Sequence, residues 1–293
     1  MKILLTGCNG FLGQHLTKYL STKGLSITAL GRGDCKISEE PGLKYQSIEL
    51  TNSDAVKKLF SEESYDVIIH NAAMSKPDEC ELNREACINN NVRVTEYLLQ
   101  HAALNTHFIY ISTDFVFGEG GPHSETSVPA PLNFYGESKL MAEQLVQQYM
   151  QQYTIVRPVF IYGPTNGSMR PSFLHWVQKN LKEGKCIKVV NDQLRTPTFV
   201  TDICAGIATI IQQKSTGIFH LAGKDILSPY QMALTVADML NLDKELIEGV
   251  DAVTFKEPVQ RAKRSGLTID RAREVLGYCP LTFEEGVRRT FMQ

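Results

Sequence analysis

The chain of 293 residues lacks the features of several protein classes. Its seven cysteines include no CxxC pair and no Cys/His zinc spacing, which favours free thiols in a reducing compartment over a disulfide framework. No apolar run reaches the roughly 18 residues that cross a bilayer, and a strand predicted from Lys2 leaves no room for a signal peptide. A net charge of −2 gives no field that would attract nucleic acid or an acidic membrane. We therefore expect a cytoplasmic protein with neither partner.

Strand and helix patterns alternate through the first half of the chain. Helical periodicity follows at 11–23, 53–62, 84–103 and from 133 onward, with Ser53 as the expected N-cap of the second helix. Such alternation is typical of a doubly wound parallel α/β sheet, the Rossmann class, covered by helices on both faces. Short apolar runs predict strands at 2–6, 26–30, 44–49, 66–70, 107–112, 154–157 and 217–221.

After residue 157 the alternation of strand and helix patterns becomes less regular. Helices are expected at 172–182, 201–213, 228–240, 270–277 and 282–291, and a strand at 186–190. No internal repeat or obvious linker separates this part. We expect a smaller, mostly helical C-terminal lobe that packs on the sheet through interleaved segments.

Three glycines follow the first strand directly. Gly7, Gly10 and Gly13 form a GxxGxxG turn that opens a helix, one residue longer than the GxGxxG form. Backbone N–H groups and the helix dipole at such a turn bind the pyrophosphate of a dinucleotide, and absent side chains let the backbone approach. The turn predicts a dinucleotide cofactor.

The residues at the end of the second strand indicate which dinucleotide binds. An NAD enzyme usually carries Asp or Glu there to hold the ribose 2′-hydroxyl. Here the position is Gly31, followed by Arg32. The carboxylate that would repel a 2′-phosphate is therefore missing at this position, and the Arg32 guanidinium can pair with that phosphate. We predict NADP(H) over NAD(H); an ordinary exposed loop arginine is the alternative.

Tyr135 and Lys139 form a YxxxK motif on a predicted helix, where residues four apart share one face. An ammonium near a phenol favours the phenolate and would lower the tyrosine pKa from about 10. A tyrosine tuned in this way can pass a proton to or from a reacting oxygen. Alone, the motif is more typical of a surface helix with an ordinary tyrosine and lysine, so its context decides.

That context resembles a known superfamily. Asn71-Ala72-Ala73 follows the fourth strand and Ser112-Thr113-Asp114 the fifth. With the glycine turn and YxxxK, these motifs are similar to those of the extended short-chain dehydrogenases/reductases. Segments 112–117, 131–136 and 191–198 resemble the dTDP-4-dehydrorhamnose reductases, and the resemblance spans nearly the whole chain.

The resemblance implies a reaction and roles for individual residues. Thr113 would hydrogen-bond the substrate carbonyl, Tyr135 would donate the proton, and Lys139 would hold the nicotinamide ribose. Hydride would pass from NADPH to C4 of a nucleotide-linked 4-keto-6-deoxyhexose, converting dTDP-4-dehydrorhamnose to dTDP-L-rhamnose. Asn91 would support the central strands. The implied cofactor-binding residues are Gly7, Asn9, Gly10, Phe11, Leu12, Gly13, Arg32, Glu49, Leu50, Asn71, Ala72, Ala73, Tyr135, Lys139 and Val159.

The resemblance also implies a division of the chain. Residues 1–157, with 186–222 returning to them, would form the NADP(H)-binding domain. Residues 158–185 and 223–293 would form the lobe that binds the nucleotide-sugar substrate. A homodimer is one expected assembly.

Several positions depart from the rhamnose reductase pattern. Arg195 replaces the usual glycine, and its segment resembles one in nucleotide-sugar epimerases where the arginine meets the nucleotide. We expect either a diphosphate clamp or a structural ion pair, for example with Asp202. Arg261 is expected to reach a phosphate. His15 replaces a glutamate that binds magnesium in some members, which predicts no metal site. The 71–78 loop is one residue shorter, so the sugar identity stays open.

Two alternative functions remain open. An NAD-dependent nucleotide-sugar epimerase or dehydratase would share the fold and the catalytic residues, although Gly31 and Arg32 favour NADP(H). A non-catalytic cofactor-binding subunit, similar to the regulatory partner of methionine adenosyltransferase, would not need the catalytic residues. This chain retains Thr113, Tyr135 and Lys139.

Overall fold

The computed structural model describes residues 1–292. Its centre is a seven-stranded parallel sheet. The Rossmann-type prediction is confirmed, and every predicted strand of the main sheet is present. The strands are β1 (Lys2–Thr6), β2 (Ser26–Gly31), β3 (Leu43–Ser47), β4 (Val67–His70), β5 (His107–Ile111), β6 (Tyr153–Arg157) and β10 (Gly217–His220). Across the sheet they lie in the order β10-β6-β5-β4-β1-β2-β3.

Helices cover both faces of this sheet. Apolar side chains of α1 (Phe11–Ser21), α8 (Val200–Gln213) and α10 (Asp270–Leu276) pack on one face. Those of α2 (Ser53–Glu62), α5 (Val94–His101) and α6 (Phe134–Tyr149) pack on the other. Burial of apolar area on both faces explains why the central strands are continuous hydrophobic runs.

Local details of two helices differ from expectation. Asn52, and not Ser53, caps α2, because its side chain accepts the N–H groups of Asp54 and Ala55. The helix expected at 84–103 is α4 (Arg84–Ile88), a π-helical turn (Asn89–Arg93) and then α5. A further short helix, α3 (Pro77–Leu82), precedes it and begins at a proline, which is favoured in a first turn.

The lobe has its own core. It contains α7 (Phe173–Lys182), β8 (Ile187–Val190), α9 (Pro229–Met239), β11 (Ile247–Val250) and α11 (Phe283–Phe291). Two short strands, β7 (Ile161–Tyr162) and β9 (Thr198–Phe199), pair with each other where the chain passes between sheet and lobe.

Two pieces of the expected division differ. The segment at 186–190 does not return to the large sheet, since β8 pairs with β11 and alternates buried and exposed side chains, as a strand covered on one face does. Conversely, α10 was expected in the lobe but packs on the sheet side through Ala272 and Leu276. The segments that do return are α8 and β10.

None of the helices within residues 1–292 combines the length and apolar character needed to cross a membrane.

Candidate active site

A cleft of about 1110 Å³ lies between the carboxyl ends of the sheet strands and the lobe. Ligands of open α/β sheets bind at this edge. All predicted site residues except Gly13 and Val159 line the cleft: Gly7, Asn9, Gly10, Phe11, Leu12, Arg32, Glu49, Leu50, Asn71, Ala72, Ala73, Thr113, Tyr135, Lys139, Arg195 and Arg261.

Glycine is required at two positions of the turn. Gly7 has φ +70°, and a Cβ there would lie 2.8 Å from the backbone of Ala72. A Cβ on Gly13 would come within 2.8 Å of Cys8 Cα and closer still to the Gly7 carbonyl oxygen. Gly13 therefore sets how closely α1 approaches the turn, although it does not itself face the cleft. The first residues of α1, Phe11 and Leu12, line the cleft, and the first N–H groups of a helix have no partner within it, as phosphate binding requires.

We expect Gly13→Ala to destabilise the fold by about 1–3 kcal/mol, because the added methyl group meets backbone that cannot move aside. Gly167→Ala is the matched control, since its Cβ would meet nothing within 4 Å. Urea unfolding of both variants measures the difference. A Gly13 variant as stable as the Gly167 variant would show that the turn can relax.

Asn9 shapes the loop that carries Arg32. Its Nδ2 donates to the carbonyls of Arg32 (3.1 Å) and Asp34 (3.0 Å), and its Oδ1 accepts from the N–H of Lys36 (3.0 Å). Arg32 stands at the cleft rim with its Nη1 3.9 Å from Glu49 Oε2, both side chains mostly exposed. An exposed ion pair of this kind contributes little stability, so the guanidinium can turn to another anion at low cost.

A buried hydrogen-bonded chain ties the ends of β1 and β4 together. Thr6 Oγ1 lies 2.8 Å from His70 Nδ1 and accepts two backbone N–H groups of the loop after β4. His70 Nε2 lies 3.0 Å from Thr95 Oγ1, which donates to the Asn91 carbonyl. Because each hydroxyl has one proton, Nε2 donates and Nδ1 accepts. Burial lowers the pKa of His70 to about 3, which keeps this imidazole neutral.

Sequence reasoning did not single out His70. The signal was present, since Thr6 and His70 are the polar last residues of two neighbouring parallel strands. Their pairing in register places both side chains at the same edge of the sheet.

Asn91 lies in the π-helical turn and joins two parts of the site. Its Oδ1 accepts from the N–H of Met74 at 2.7 Å, and its Nδ2 donates to Met74 O (3.1 Å) and Ser138 Oγ (2.9 Å). The expected supporting role therefore takes a specific form. Asn91 connects the loop after β4 to the helix that carries Tyr135.

Tyr135 lies at the start of α6, whose first turn is capped by the Asn133 side chain. The phenol is 8% exposed and meets the ring of Phe115 edge-on at 5.5 Å. Burial raises the pKa of Tyr135 above its ordinary value, and a hydrogen bond with Thr113 acts against this. The phenol therefore holds its proton at neutral pH.

Lys139 does not act on Tyr135 as the sequence suggested. Its Nζ donates to the carbonyl of Ile111 at 2.7 Å and lies 4.1 Å above the ring of Tyr110. Burial lowers the pKa of Lys139 to about 7, and the carboxylate of Glu143 acts in the opposite direction. The expectation that the ammonium lowers the Tyr135 pKa is wrong in this structure, because the ammonium contacts the neighbouring strand instead.

Glu143 lies one turn beyond Lys139 and forms a buried ion pair. Arg157 Nε donates to its Oε1 at 2.9 Å and Arg157 Nη2 donates to its Oε2 at 2.5 Å, with both side chains 2% exposed. Ser112 adds a third hydrogen bond to the same carboxylate. This bidentate pair fixes α6 to the ends of β5 and β6.

Arg195 is buried beside the catalytic end of the cleft. It donates to Ser265 Oγ (3.0 Å) and Gln193 Oε1 (2.8 Å), and its Nη1 lies 3.9 Å from Asp114 Oδ2. The anticipated pairing with Asp202 is wrong, because Asp202 accepts the backbone N–H of Leu281. Arg195 thus has a structural ion partner and also borders the cleft.

Arg261 spans the cleft from the lobe side. It donates to Asp78 Oδ1 at 3.2 Å, on the sheet side, and to Glu257 on its own segment. Both arginine residues expected to meet substrate therefore line the cleft while paired to protein groups.

Val159 and His15 make different contacts from the cleft residues. Val159 is 1% exposed, and its carbonyl accepts from Thr198 Oγ1 at 2.7 Å. Its neighbours Pro158 and Phe160 border the cleft, so the expected backbone contact from Val159 to a cofactor stays a prediction. His15 Nε2 lies 3.0 Å from the Pro164 carbonyl.

Comparisons with known proteins agree with this geometry. The family model described as the RmlD substrate binding domain matches residues 1–293. The crystal structure of dTDP-4-dehydrorhamnose reductase from Bacillus anthracis in complex with NADP has a TM-score of 0.87 at 27% sequence identity, covering 99% of this chain and 98% of that one.

Two curated relatives show the breadth of the family. A probable low-salt glycan biosynthesis reductase of Haloferax volcanii is 28% identical over 291 residues, 97% of this chain and 95% of that protein. Methionine adenosyltransferase 2 subunit beta of Xenopus laevis is 31% identical over 248 residues, 82% of this chain and 72% of that protein. Since the family model covers the whole chain, this protein belongs to the RmlD substrate binding domain family and is a dTDP-4-dehydrorhamnose reductase-like extended short-chain dehydrogenase/reductase.

Proposed function

We propose that this protein catalyses the NADPH-dependent reduction of the 4-keto group of a nucleotide-linked 6-deoxyhexose. The observation that carries the proposal is the meeting of Thr113, Tyr135 and Lys139 with the glycine turn in one cleft. A hydroxyl, a protonated phenol and an ammonium there can bind a carbonyl, protonate it and hold a ribose. A family neighbour with NADP in its crystal structure supports the cofactor class.

The residues present fit a nicotinamide dinucleotide. Gly7 lets the turn lie directly against the backbone of Ala72, where a Cβ would come within 2.8 Å, and the start of α1 offers backbone donors for a diphosphate. NADPH would supply the hydride. Lys139 would exchange its contact with the Ile111 carbonyl for the ribose hydroxyls, and its charge would then act beside the Tyr135 phenol.

For the reaction itself, Tyr135 would act as the general acid. A phenol whose pKa is raised by burial keeps its proton until a carbonyl oxygen gains negative charge, which suits reduction in the keto-to-alcohol direction. Thr113 Oγ1 donates at 3.2 Å to Asp114 and would turn to the substrate carbonyl as a second donor.

We further propose dTDP-4-dehydrorhamnose as the substrate, with dTDP-L-rhamnose as the product. Support comes from the similarity of segments 112–117, 131–136 and 191–198 to rhamnose reductases and from the solved relative of that name. The lobe would hold the nucleotide, with Arg195 and Arg261 bordering its diphosphate. NADPH oxidation followed by absorbance, with this sugar made in situ, tests the proposal. Turnover of a different 4-keto sugar alone would refute the substrate and keep the reaction class.

The relative named methionine adenosyltransferase 2 subunit beta supports a second candidate, a cofactor-binding regulatory subunit. Retention of Thr113, Tyr135 and Lys139 inside the cleft argues for catalysis. Binding of NADPH without turnover of any nucleotide-linked 4-keto sugar would favour the subunit. A homodimer stays a prediction that sedimentation can test.

NADP(H) preference is proposed to depend on Arg32. Arg32→Ala should lower the ratio of kcat/KM for NADPH to that for NADH by about tenfold, since a charge-assisted contact to a phosphate is worth about 1.5–3 kcal/mol and this side chain is mostly exposed. The ratio controls for any general loss of activity. An unchanged ratio would assign the discrimination to another residue.

A further inference from the structure

Two free cysteines lie side by side under Tyr135. Cys80 of α3 and Cys87 of α4 are fully buried and pack with Tyr135 in one small cluster. Asn83 interrupts the helical backbone between them with φ −136° and ψ 74°, so α3 and α4 are separate helices, and both bring their cysteine into this cluster.

The polar surroundings distinguish the two sulfurs. Cys87 Sγ lies 3.2 Å from Ser138 Oγ and 3.4 Å from Asn91 Nδ2. The neighbouring Cys80 lowers the pKa of the Cys87 thiol, with help from Ser138 and Lys139. The neighbouring Cys87 and burial raise the pKa of Cys80, whose Sγ donates to the Met74 carbonyl at 3.3 Å. Cys87 is therefore the sulfur in contact with polar hydrogen-bonding groups, which suits it to attack, and Cys80 in the same cluster is placed to resolve.

We propose that Cys80 and Cys87 form a reversible disulfide on exposure to hydrogen peroxide, and that this disulfide switches off the site. The Cys87 thiolate attacks one peroxide oxygen, the O–O bond breaks, and the departing hydroxide takes a proton to become water. The Cys80 sulfur then attacks the sulfenic sulfur of Cys87, and a second water leaves. The two sulfurs together lose two electrons and the peroxide gains them.

The disulfide would act through the supports of α6. Bond formation brings the sulfurs to about 2.05 Å, which draws Cys87 away from Ser138 and Asn91. Ser138 lies on α6 within one turn of Tyr135, and Asn91 donates to Ser138. We expect kcat to fall at least tenfold, a consequence that rests on the proposed reductase activity.

Peptide mapping tests the bond independently of any activity. The reduced full-length protein is treated with hydrogen peroxide, alkylated and digested with trypsin without reduction. Trypsin cleaves after Arg84, which lies between the two cysteines, so the disulfide leaves two peptides joined and lighter by two hydrogens than their sum. Exposed Cys279 reports that oxidant is in excess. Full oxidation of Cys279 without the joined peptides would overturn the proposal.

Turnover measurements test the switch. After treatment with hydrogen peroxide, the activity of wild type and of the Cys279→Ser control should fall at least tenfold and should return with dithiothreitol. Cys87→Ser should keep more than half of its own untreated rate. Cys87→Ala replaces it if the serine variant does not fold. Equal loss in the Cys87 variant would overturn the switch. If the reduced protein turns over no nucleotide sugar, the proposed function fails and the peptide map alone decides the disulfide.

Discussion

Tyr135→Phe is expected to reduce kcat for the proposed keto-sugar reduction by roughly 10²–10⁴-fold, the range for loss of a positioned general acid. The substitution removes one oxygen from a buried ring and leaves its packing against Phe115 in place. Cofactor affinity should therefore change little, because the glycine turn is untouched. Stopped-flow NADPH oxidation measures kcat, and quenching of NADPH fluorescence measures binding.

Tyr149→Phe is the matched control for this experiment. It makes the same substitution on the same helix, at a ring that is 38% exposed and outside the cleft. Its kcat should equal that of the wild type. Unchanged turnover in the Tyr135 variant would remove Tyr135 from the reaction, and equal losses in both variants would indicate a general effect on α6.

Local patterns predicted most of the sheet and the cofactor turn. Residues 2–13 form a strand, a glycine turn and a helix, and each step depends on neighbours in sequence. The spacing of Tyr135 and Lys139 likewise follows from helical geometry. These features need no knowledge of distant residues, and the structure places them where the sequence suggested.

The electrostatics of the site were beyond local reasoning. The Lys139 ammonium contacts the Ile111 carbonyl, 28 residues away, and the His70 imidazole depends on Thr6 and Thr95 from other elements. Pairing across the sheet decides such contacts, and sequence spacing does not report it. The raised pKa of Tyr135 follows from burial against α3, α4 and Phe115, which only the folded chain brings together.

Strand pairing in the lobe was likewise beyond prediction from local sequence. The run at 186–190 has β character and was expected to return to the cofactor-binding domain, yet it pairs with β11 of the lobe. Propensity identifies a strand but not its partner, because partner choice depends on which neighbours bury the apolar side. Ile187 and Val189 point into the lobe core while Lys188 stays exposed, which is the alternation of a strand with one covered face.

Arg157→Met should destabilise the protein by about 3–5 kcal/mol, because it leaves the Glu143 carboxylate buried without its counter-charge. The Arg157→Met, Glu143→Met double variant should recover most of that stability, since replacing both members of a buried pair with apolar groups is often neutral. Urea unfolding of the single and double variants measures both. A single variant within 1 kcal/mol of wild type, roughly the value of a surface pair, would show that water reaches the carboxylate.

The double variant also separates folding from catalysis. Glu143 favours the charged form of Lys139, whose pKa burial lowers to about 7. Removing that carboxylate should lower the Lys139 pKa further, so the ammonium would lose its proton at a lower pH. If the ammonium is needed to hold the cofactor ribose, the alkaline limb of the kcat/KM profile for NADPH should move to lower pH in the restored double variant. A stable double variant with an unchanged profile would confine Glu143 to structure and would show that Lys139 is tuned by other groups.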